Sequence, residues 1–203
     1  IPKTQKAVYY HMFNSDPLVY NEDALDFLQS MDWNDGAYHA DGRWVITDPP
    51  YGESGKYLYE GEFKDPPLTD EYIENFAKVC RKIAEGAFVF CGINEIGRWF
   101  EAYKSAGFKH VRQGVWIKPN AWWQPAPYAA GCLEGFICAT KTKREECDSI
   151  IPAYVCSYSG HLKEGEQQHP FRKPIPLLRQ VIRDLKLSNA FIIDPFAGTG
   201  SVG

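Results

Sequence analysis

The sequence predicts one α/β domain with a mostly parallel sheet. Strand-like stretches alternate with amphipathic helices along its 203 residues, an order typical of parallel sheets flanked by helices. Two apolar strands end abruptly in an acid followed by proline, in "ITDPPYG" and "IIDPFAGTG". Because ligands in such sheets bind past the carboxyl ends of the strands, we expect these two ends to share a site.

The amino-terminal part predicts a short strand, the start of a helix and a buried strand. Residues 1–18 show no clear period, and we expect an irregular arm. The stretch LVYNEDALDFL at 18–28 is typical of a strand followed by a helix start. Residues 43–52, RWVITDPPYG, predict a buried strand that the double proline ends. An irregular loop follows at 53–67.

The central part predicts a strand between two helices. Residues 68–86 fit an amphipathic helix with Thr69 as its N-cap and Gly86 at its end. The continuous apolar run AFVFCG at 87–92 is typical of a strand that is buried on both faces. Residues 94–107 predict a second helix that ends at its last glycine.

The second half continues the alternation and brings the chain to the second acid–proline end. The helix predicted there begins with proline, which suits a first helical turn. In order, we predict a strand at 111–119, an aromatic and proline-rich loop at 120–131, a strand at 134–141, a polar loop at 142–168, a helix at 174–186 and a strand at 191–194.

Composition limits the class of protein. The net charge is −4, which argues against a chain coated in basic residues but leaves room for a local basic groove. No run of 18 or more apolar residues occurs, so we expect a soluble cytoplasmic protein without a membrane partner. None of the six cysteines forms a Cys-x-x-Cys pair. We expect reduced thiols and no metal; a zinc site that uses His161 or His169 is the alternative.

The glycines of "DPFAGTGS" predict a turn that approaches a ligand. Gly198 and Gly200 lie between a strand and a predicted helix, where backbone amides can bind an anionic group. The stretch lacks the third glycine of a dinucleotide fingerprint, and no lysine follows as a phosphate-binding loop would need. Taken alone, it fits a plain tight turn equally well.

Several motifs occur in a characteristic order. They are VYNED at 19–23, DPPY at 48–51, WIKP at 116–119 with Glu134 after it, HPFRKP at 169–174 and DPFAGTG at 194–200. This order resembles the amino-methyltransferases of DNA. More narrowly, it resembles their permuted beta class, in which the catalytic motif precedes the cofactor motif. The resemblance extends from about residue 18 to the end of the chain.

The resemblance implies a Rossmann-like, S-adenosylmethionine-dependent methyltransferase fold with circularly permuted motif order, in a single catalytic domain over 1–203. It assigns catalysis to Asp48, Pro49, Pro50 and Tyr51. It assigns binding of the cofactor, S-adenosylmethionine, to Asp23, His169, Lys173, Asp194, Pro195, Phe196, Gly198, Thr199, Gly200 and Ser201. For His169 and Lys173 a helix-entry turn is the alternative, and Glu134 is either functional or a buried partner of Lys118.

The chemistry that the resemblance implies explains the residue types of the catalytic motif. An exocyclic amine is a poor nucleophile because its lone pair is delocalised into the ring. The carboxylate of Asp48 and the carbonyl of Pro49 can only accept hydrogen bonds, so they can orient that amine. The target base must leave the duplex, and Tyr51 offers a ring on which to stack. In the family, aspartate at this position goes with adenine, so we expect adenine-N6 transfer.

Double-stranded DNA is the expected partner. For the duplex face we select Lys141, Lys143, Arg144, Arg172, Trp122 and Trp123. Only a short insert, 142–168, replaces the family's usual target-recognition region, so a homodimer or a partner subunit is expected to supply recognition. The family continues past its cofactor loop to an acid that holds the ribose, and we expect this chain to be a truncated piece. A bacterial or phage origin and association with the nucleoid follow from the resemblance.

Other activities stay open from the sequence. Cytosine N4, RNA and a protein glutamine amide are alternative targets, because proline-proline-aromatic motifs also serve those. A non-catalytic subunit that binds the cofactor or nucleic acid is an alternative of a different class. The intact motif at 48–51 argues against that alternative.

Overall fold

A computed structural model describes residues 6–10, 18–33, 42–50, 68–119, 132–143, 152–157 and 173–197. The strands are β1 (Lys6–Tyr10), β2 (Leu18–Asn21), β3 (Arg43–Thr47), β4 (Gly86–Cys91), β5 (His110–Ile117), β6 (Leu133–Thr140), β7 (Ala153–Val155) and β8 (Phe191–Asp194). The helices are α1 (Ala24–Ser30), α2 (Asp70–Ile83), α3 (Ile96–Ser105) and α4 (Ile175–Asp184).

The described strands form one sheet in the order β2-β1-β8-β3-β4-β6-β5-β7. Strand β3 pairs in parallel with both β4 and β8, and β5 pairs in parallel with β7. Strand β1 is antiparallel to β2 and β8, and β6 is antiparallel to β4 and β5. Six of these eight strands therefore run in one direction, against β1 and β6. The predicted α/β fold with a mostly parallel sheet is confirmed.

Each face of the sheet carries its own core. On one face, Phe27, Phe76 and Trp99 of the first three helices pack in a single cluster. On the other face, Leu177 and Val181 of α4 pack in a second cluster. Successive strand side chains point to opposite faces. Both faces are covered, which explains why β3 and β4 are apolar without alternation.

Helix α2 begins where the sequence predicts and ends earlier. The Thr69 hydroxyl accepts a hydrogen bond from the Tyr72 amide at 3.2 Å, which confirms the predicted N-cap. The helix ends at Ile83 rather than Gly86, so that prediction is wrong. Gly86 instead begins β4, where it pairs with Trp44 of β3. The position needs glycine because an added Cβ would lie only 2.5 Å from the Trp44 ring.

Two predicted irregular regions contain strands. Strand β1 lies within the predicted arm, and β7 lies within the predicted polar loop. Both strands are stabilised by pairing with partners that are distant in sequence, β8 for β1 and β5 for β7. Such pairing leaves little local signal in a stretch of three to five residues. Among the described residues, no helix is long and apolar enough to cross a membrane.

Candidate active site

The two acid–proline ends lie side by side at one edge of the sheet. Asp48 directly follows β3, and Asp194 is the last residue of β8. Because β3 and β8 are parallel neighbours, the two residues lie at the same edge of the sheet. The antiparallel strand β6 begins there too, since Gly135 pairs with Cys91 at the end of β4. We call this the site edge: the carboxyl ends of β3, β4 and β8 and the start of β6.

A buried hydrogen-bond cluster joins the two ends. The Thr47 hydroxyl donates to Oδ1 of Asp194 at 2.5 Å. The Phe196 amide lies 3.1 Å from the same carboxylate oxygen and 3.2 Å from the Thr47 hydroxyl. Burial raises the pKa of Asp194 to about 7, although the hydrogen bonds from Thr47 and the Phe196 amide act to lower it. This cluster fixes the turn that opens the predicted cofactor loop.

Four charged side chains form an ion-pair chain along the site edge. Nζ of Lys173, just before α4, lies 2.5 Å from Oδ2 of Asp48 and 3.0 Å from Oε2 of Glu134. The other Glu134 oxygen, Oε1, lies 2.5 Å from Nζ of Lys118. Two ammonium groups thus alternate with two carboxylates, and the ion-pair chain has no net charge. Glu134 is a partner of Lys118, as one of the two sequence hypotheses stated, and it also binds Lys173.

Lys173 is the buried member of the ion-pair chain, and the other three side chains are 13–23% exposed. Lys173 is only 4% exposed, and its ammonium lies 5.2 Å from the centre of the Phe90 ring. Burial acts to lower the pKa of Lys173, but the carboxylates of Asp48 and Glu134 outweigh burial and raise it. Burial acts to raise the pKa of Glu134, but the ammonium groups of Lys173 and Lys118 outweigh it, so this pKa is lowered.

A buried hydroxyl without a partner lies close to the cofactor candidates. The Tyr72 hydroxyl makes no hydrogen bond within the part of the chain that the structure describes. Its ring centre lies 6.5 Å from that of Phe196. Burial raises the pKa of Tyr72, and the charges of Asp23 and Asp26 raise it further. Because an unsatisfied buried hydroxyl is costly, Tyr72 is well placed to contact a ligand beside Phe196.

Asp23 lies past the end of β2 and has a structural role in the described chain. Its Oδ1 accepts hydrogen bonds from the amides of Leu25 and Asp26, so Asp23 is the N-cap of α1. Such a cap leaves the carboxylate at a helix start, where negative charge is favourable. Its assignment to the cofactor remains a prediction.

Two predicted DNA contacts lie away from the site edge. Lys141 and Lys143 follow β6, whose start carries Glu134, so they lie at the opposite end of that strand, about 23 Å away by strand rise. Lys141 pairs there with Glu85 at 3.7 Å. Their role stays a prediction, and the structure does not bring them to the catalytic motif.

The remaining predicted site residues lie outside the described residues. They are Tyr51, Trp122, Trp123, Arg144, His169, Arg172, Gly198, Thr199, Gly200 and Ser201. Asp48, Pro49, Pro50, Lys173, Asp194, Pro195 and Phe196 are described.

Sequence reasoning missed Thr47 and Tyr72. Thr47 is a buried polar residue at the end of an otherwise apolar strand, and that position is the signal that could have singled it out. Tyr72 lies within the amphipathic helix predicted at 68–86, and the sequence gives no signal that separates it from the other apolar positions of that helix. Among the described residues, no group of acidic, histidine and cysteine side chains could hold a metal ion, and all five described cysteines are free thiols.

A comparison with protein families decides the class of this chain. The model of the N6/N4 methyltransferase family, described as DNA methylase, matches residues 43–203. The chain belongs to this DNA methylase family. The matched range includes Asp48, Asp194 and the ion-pair chain.

Two curated relatives of this DNA methylase are less than 30% identical to it. YubD of Escherichia coli (strain K12), which carries a provisional assignment as a methylase, is 29% identical over 161 residues, covering 78% of this chain and 68% of YubD. The type II methyltransferase M.HinfI of Haemophilus influenzae is 24% identical over 199 residues, covering 78% of this chain. The chain spans 54% of the length of M.HinfI.

Solved structures share the fold of this DNA methylase. M1.HpyAVI in complex with S-adenosylmethionine superposes with a TM-score of 0.53 at 18% identity, covering 90% of this chain and 83% of that one. TTHA0409 of Thermus thermophilus, also in complex with S-adenosyl-L-methionine, gives 0.51 at 15% identity, covering 89% and 79%. At these identities the likeness establishes the methyltransferase fold that the sequence predicts.

Proposed function

We propose that this DNA methylase transfers a methyl group from S-adenosylmethionine to the exocyclic amine of an adenine that has left the DNA duplex. The observation that carries the proposal is that Asp48 and Asp194 lie at the ends of the neighbouring parallel strands β3 and β8. Thr47, which precedes Asp48 in the chain, donates a hydrogen bond to Asp194 at 2.5 Å. This proximity supports a site in which Asp48 orients the amine and the turn after Asp194 binds the cofactor. Positioning of two reactants is a large source of rate.

The residues beside Asp194 fit the cofactor. Phe196 and Tyr72 offer aromatic rings that suit the adenine of the cofactor, and the Tyr72 hydroxyl has no hydrogen-bond partner in the described chain. The carboxylates of Asp23 and Asp194 suit its hydroxyl and amino donors. When bound, S-adenosylmethionine supplies the methyl group as its sulfur–methyl bond breaks, with the bonding electron pair staying on sulfur. The methyl donor in the M1.HpyAVI and TTHA0409 complexes supports the predicted cofactor.

Asp48 orients the amine of the target base. Its carboxylate and the Pro49 carbonyl accept hydrogen bonds from the two amine hydrogens, which turns the nitrogen lone pair toward the methyl group. The nitrogen then forms the new bond to carbon and releases one proton to solvent. Prolines at 49 and 50 have no amide donors that would compete for these acceptors.

Adenine is favoured over cytosine by the aspartate at position 48, through the family resemblance alone. N4 transfer to cytosine is the second candidate, because the matching family model includes both N6 and N4 enzymes. The two amines are chemically alike, so Asp48 by itself does not separate them.

The test is methyl transfer from labelled cofactor to duplex DNA, with the full-length protein. Digestion to nucleosides and mass spectrometry distinguish N6-methyladenine from N4-methylcytosine. We expect N6-methyladenine with the wild type and none with Asp48→Ala, which should still bind the cofactor. Wild-type protein that methylates neither base, or a variant that behaves like wild type, would refute the proposal.

A further inference from the structure

The ammonium of Lys173 contacts the proposed catalytic carboxylate directly. The sequence assigns it to cofactor binding, yet its ammonium lies 2.5 Å from Asp48 and 3.0 Å from Glu134. It is 4% exposed, and the Phe90 and Trp116 rings lie 5.2 Å and 5.9 Å from its ammonium. A buried ammonium held by two carboxylates and two rings has little freedom to move. Its positive charge therefore has a fixed position relative to the Asp48 carboxylate.

Stability alone explains the ion-pair chain poorly. Removing a charged group such as the Lys173 ammonium from water is expensive, and apolar residues of similar size often stabilise a fold as well or better. Because the ion-pair chain includes the proposed catalytic carboxylate of Asp48, we infer that it serves the function of that carboxylate. Lys118 directly follows β5, and Glu134 lies on the neighbouring strand β6, paired opposite Trp116. This places the charge of Glu134 rigidly beside Lys173.

We propose that Lys173 is a positioning residue that keeps Asp48 ionised and oriented as a hydrogen-bond acceptor, and that Glu134, held by Lys118, moderates this effect. The inference rests on the proposed function, since it concerns the task of Asp48 in methyl transfer. When base and cofactor exclude water, a carboxylate tends to take up a proton. A protonated carboxyl donates from one oxygen and no longer accepts there. The fixed positive charge of Lys173 opposes that protonation.

Other ionisable groups also face Asp48 within the described chain. Asp48 interacts electrostatically with the Cys91 thiol at the end of β4 and with Asp194 at the end of β8. Burial raises the pKa of the Cys91 thiol above its ordinary range, so this group stays neutral. Lys173 is a cation in direct contact with Asp48, and Glu134 is an anion bound to the same ammonium.

The test is the pH dependence of methyl transfer in two variants that change the charge near Asp48 in opposite ways. Lys173→Met removes a positive charge, so the acidic limb of the kcat profile should move up by about one pH unit. Glu134→Gln removes a negative charge and leaves Lys173 to Asp48 alone, so the limb should move down. The control Lys78→Met removes an exposed lysine that pairs with Glu74 at 3.9 Å, and its limb should coincide with that of the wild type.

Cofactor affinity, measured by isothermal titration calorimetry, separates positioning from cofactor binding. Lys173→Met should lower kcat while the cofactor Kd stays within about twofold, a free-energy difference below about 0.5 kcal/mol. A large loss of affinity with an unmoved acidic limb would instead make Lys173 a cofactor ligand. Limbs that stay in place, or that move in the same direction in both variants, would also overturn the inference.

Folding of the variants is checked by circular dichroism. If Lys173→Met does not fold, Glu134→Gln decides alone: a downward shift supports the inference, and an upward shift or none overturns it. The double variant Lys173→Met with Glu134→Gln keeps the remaining charges balanced, and its limb should lie between those of the single variants. Wild-type protein that transfers no methyl group refutes the proposed function and the inference with it. Transfer by the wild type without opposite shifts refutes the inference alone.

Discussion

Thr47 and Asp194 are 147 positions apart in the chain, yet the hydroxyl of one donates to the carboxylate of the other at 2.5 Å. Both side chains are buried, with Thr47 fully inaccessible. The hydrogen bond links the strand that leads into the catalytic motif to the strand that leads into the cofactor motif. The distance between the two halves of the site therefore depends on a residue that belongs to neither family motif.

Replacing Thr47 by valine should weaken this link. The substitution preserves shape but leaves the buried Asp194 carboxylate with one donor fewer, which should lower the free energy of unfolding by about 1–3 kcal/mol. Cofactor affinity should fall too, because the Phe196 amide loses one of its two hydrogen-bond acceptors. Urea denaturation and calorimetry measure the two effects. Thr47→Ser retains the hydroxyl, and a serine variant as impaired as the valine variant would contradict the hydrogen-bond explanation.

The stability of the protein should decrease as pH rises toward 7 because of Asp194. Burial raises the pKa of its carboxyl from 3.8 to about 7 in the folded state. Between these values the folded state binds more protons than the unfolded state, so stability present below pH 4 is lost as pH rises through about 7. Unfolding free energies between pH 4 and 8 should show this slope in the wild type and a smaller one in Asp194→Asn. Equal slopes would show that Asp194 does not titrate in this range.

Removing the Tyr72 hydroxyl should separate stability from cofactor binding. Tyr72→Phe deletes a buried oxygen that has no hydrogen-bond partner in the described chain. The protein without cofactor should keep its stability or gain about 1 kcal/mol. If the hydroxyl binds the cofactor, the rise in Tm on adding S-adenosylmethionine should be smaller than in the wild type. Lower stability without cofactor would mean that the hydroxyl already has a partner.

An alanine at position 86 should disrupt the core beneath the sheet. A Cβ at Gly86 would lie 2.5–2.8 Å from three atoms of the fully buried Trp44 ring. Such overpacking lowers the free energy of unfolding by about 1–3 kcal/mol. The matched control is Gly97→Ala in α3, where no atom lies within 4 Å of the added Cβ. Alanine is more favourable than glycine in a helix, so the free energy of unfolding of this control should rise by about 0.5–1 kcal/mol. Equal effects in thermal unfolding would contradict the steric explanation.

The sequence predicted most elements because each carries a local signal. The Thr69 cap, the glycine after α3 and the apolar runs of β3, β4 and β8 depend on neighbours in the chain, and the structure confirms them. Strands β1 and β7 lack such a signal, because pairing with distant strands stabilises them. Gly86 was misassigned to a helix end because the contact that requires glycine is made by Trp44, 42 positions earlier.

The sequence by itself determined the class of fold and the two motifs of the site, because β-branched runs that end in acid and proline are local features. Only the tertiary structure decided what surrounds Asp48. Lys118, Glu134 and Lys173 come from three separate parts of the chain and meet at the site edge, where their charges interact at 2.5–3.0 Å. Electrostatic interactions depend on distance in space and on burial, and neither can be read from spacing along the chain.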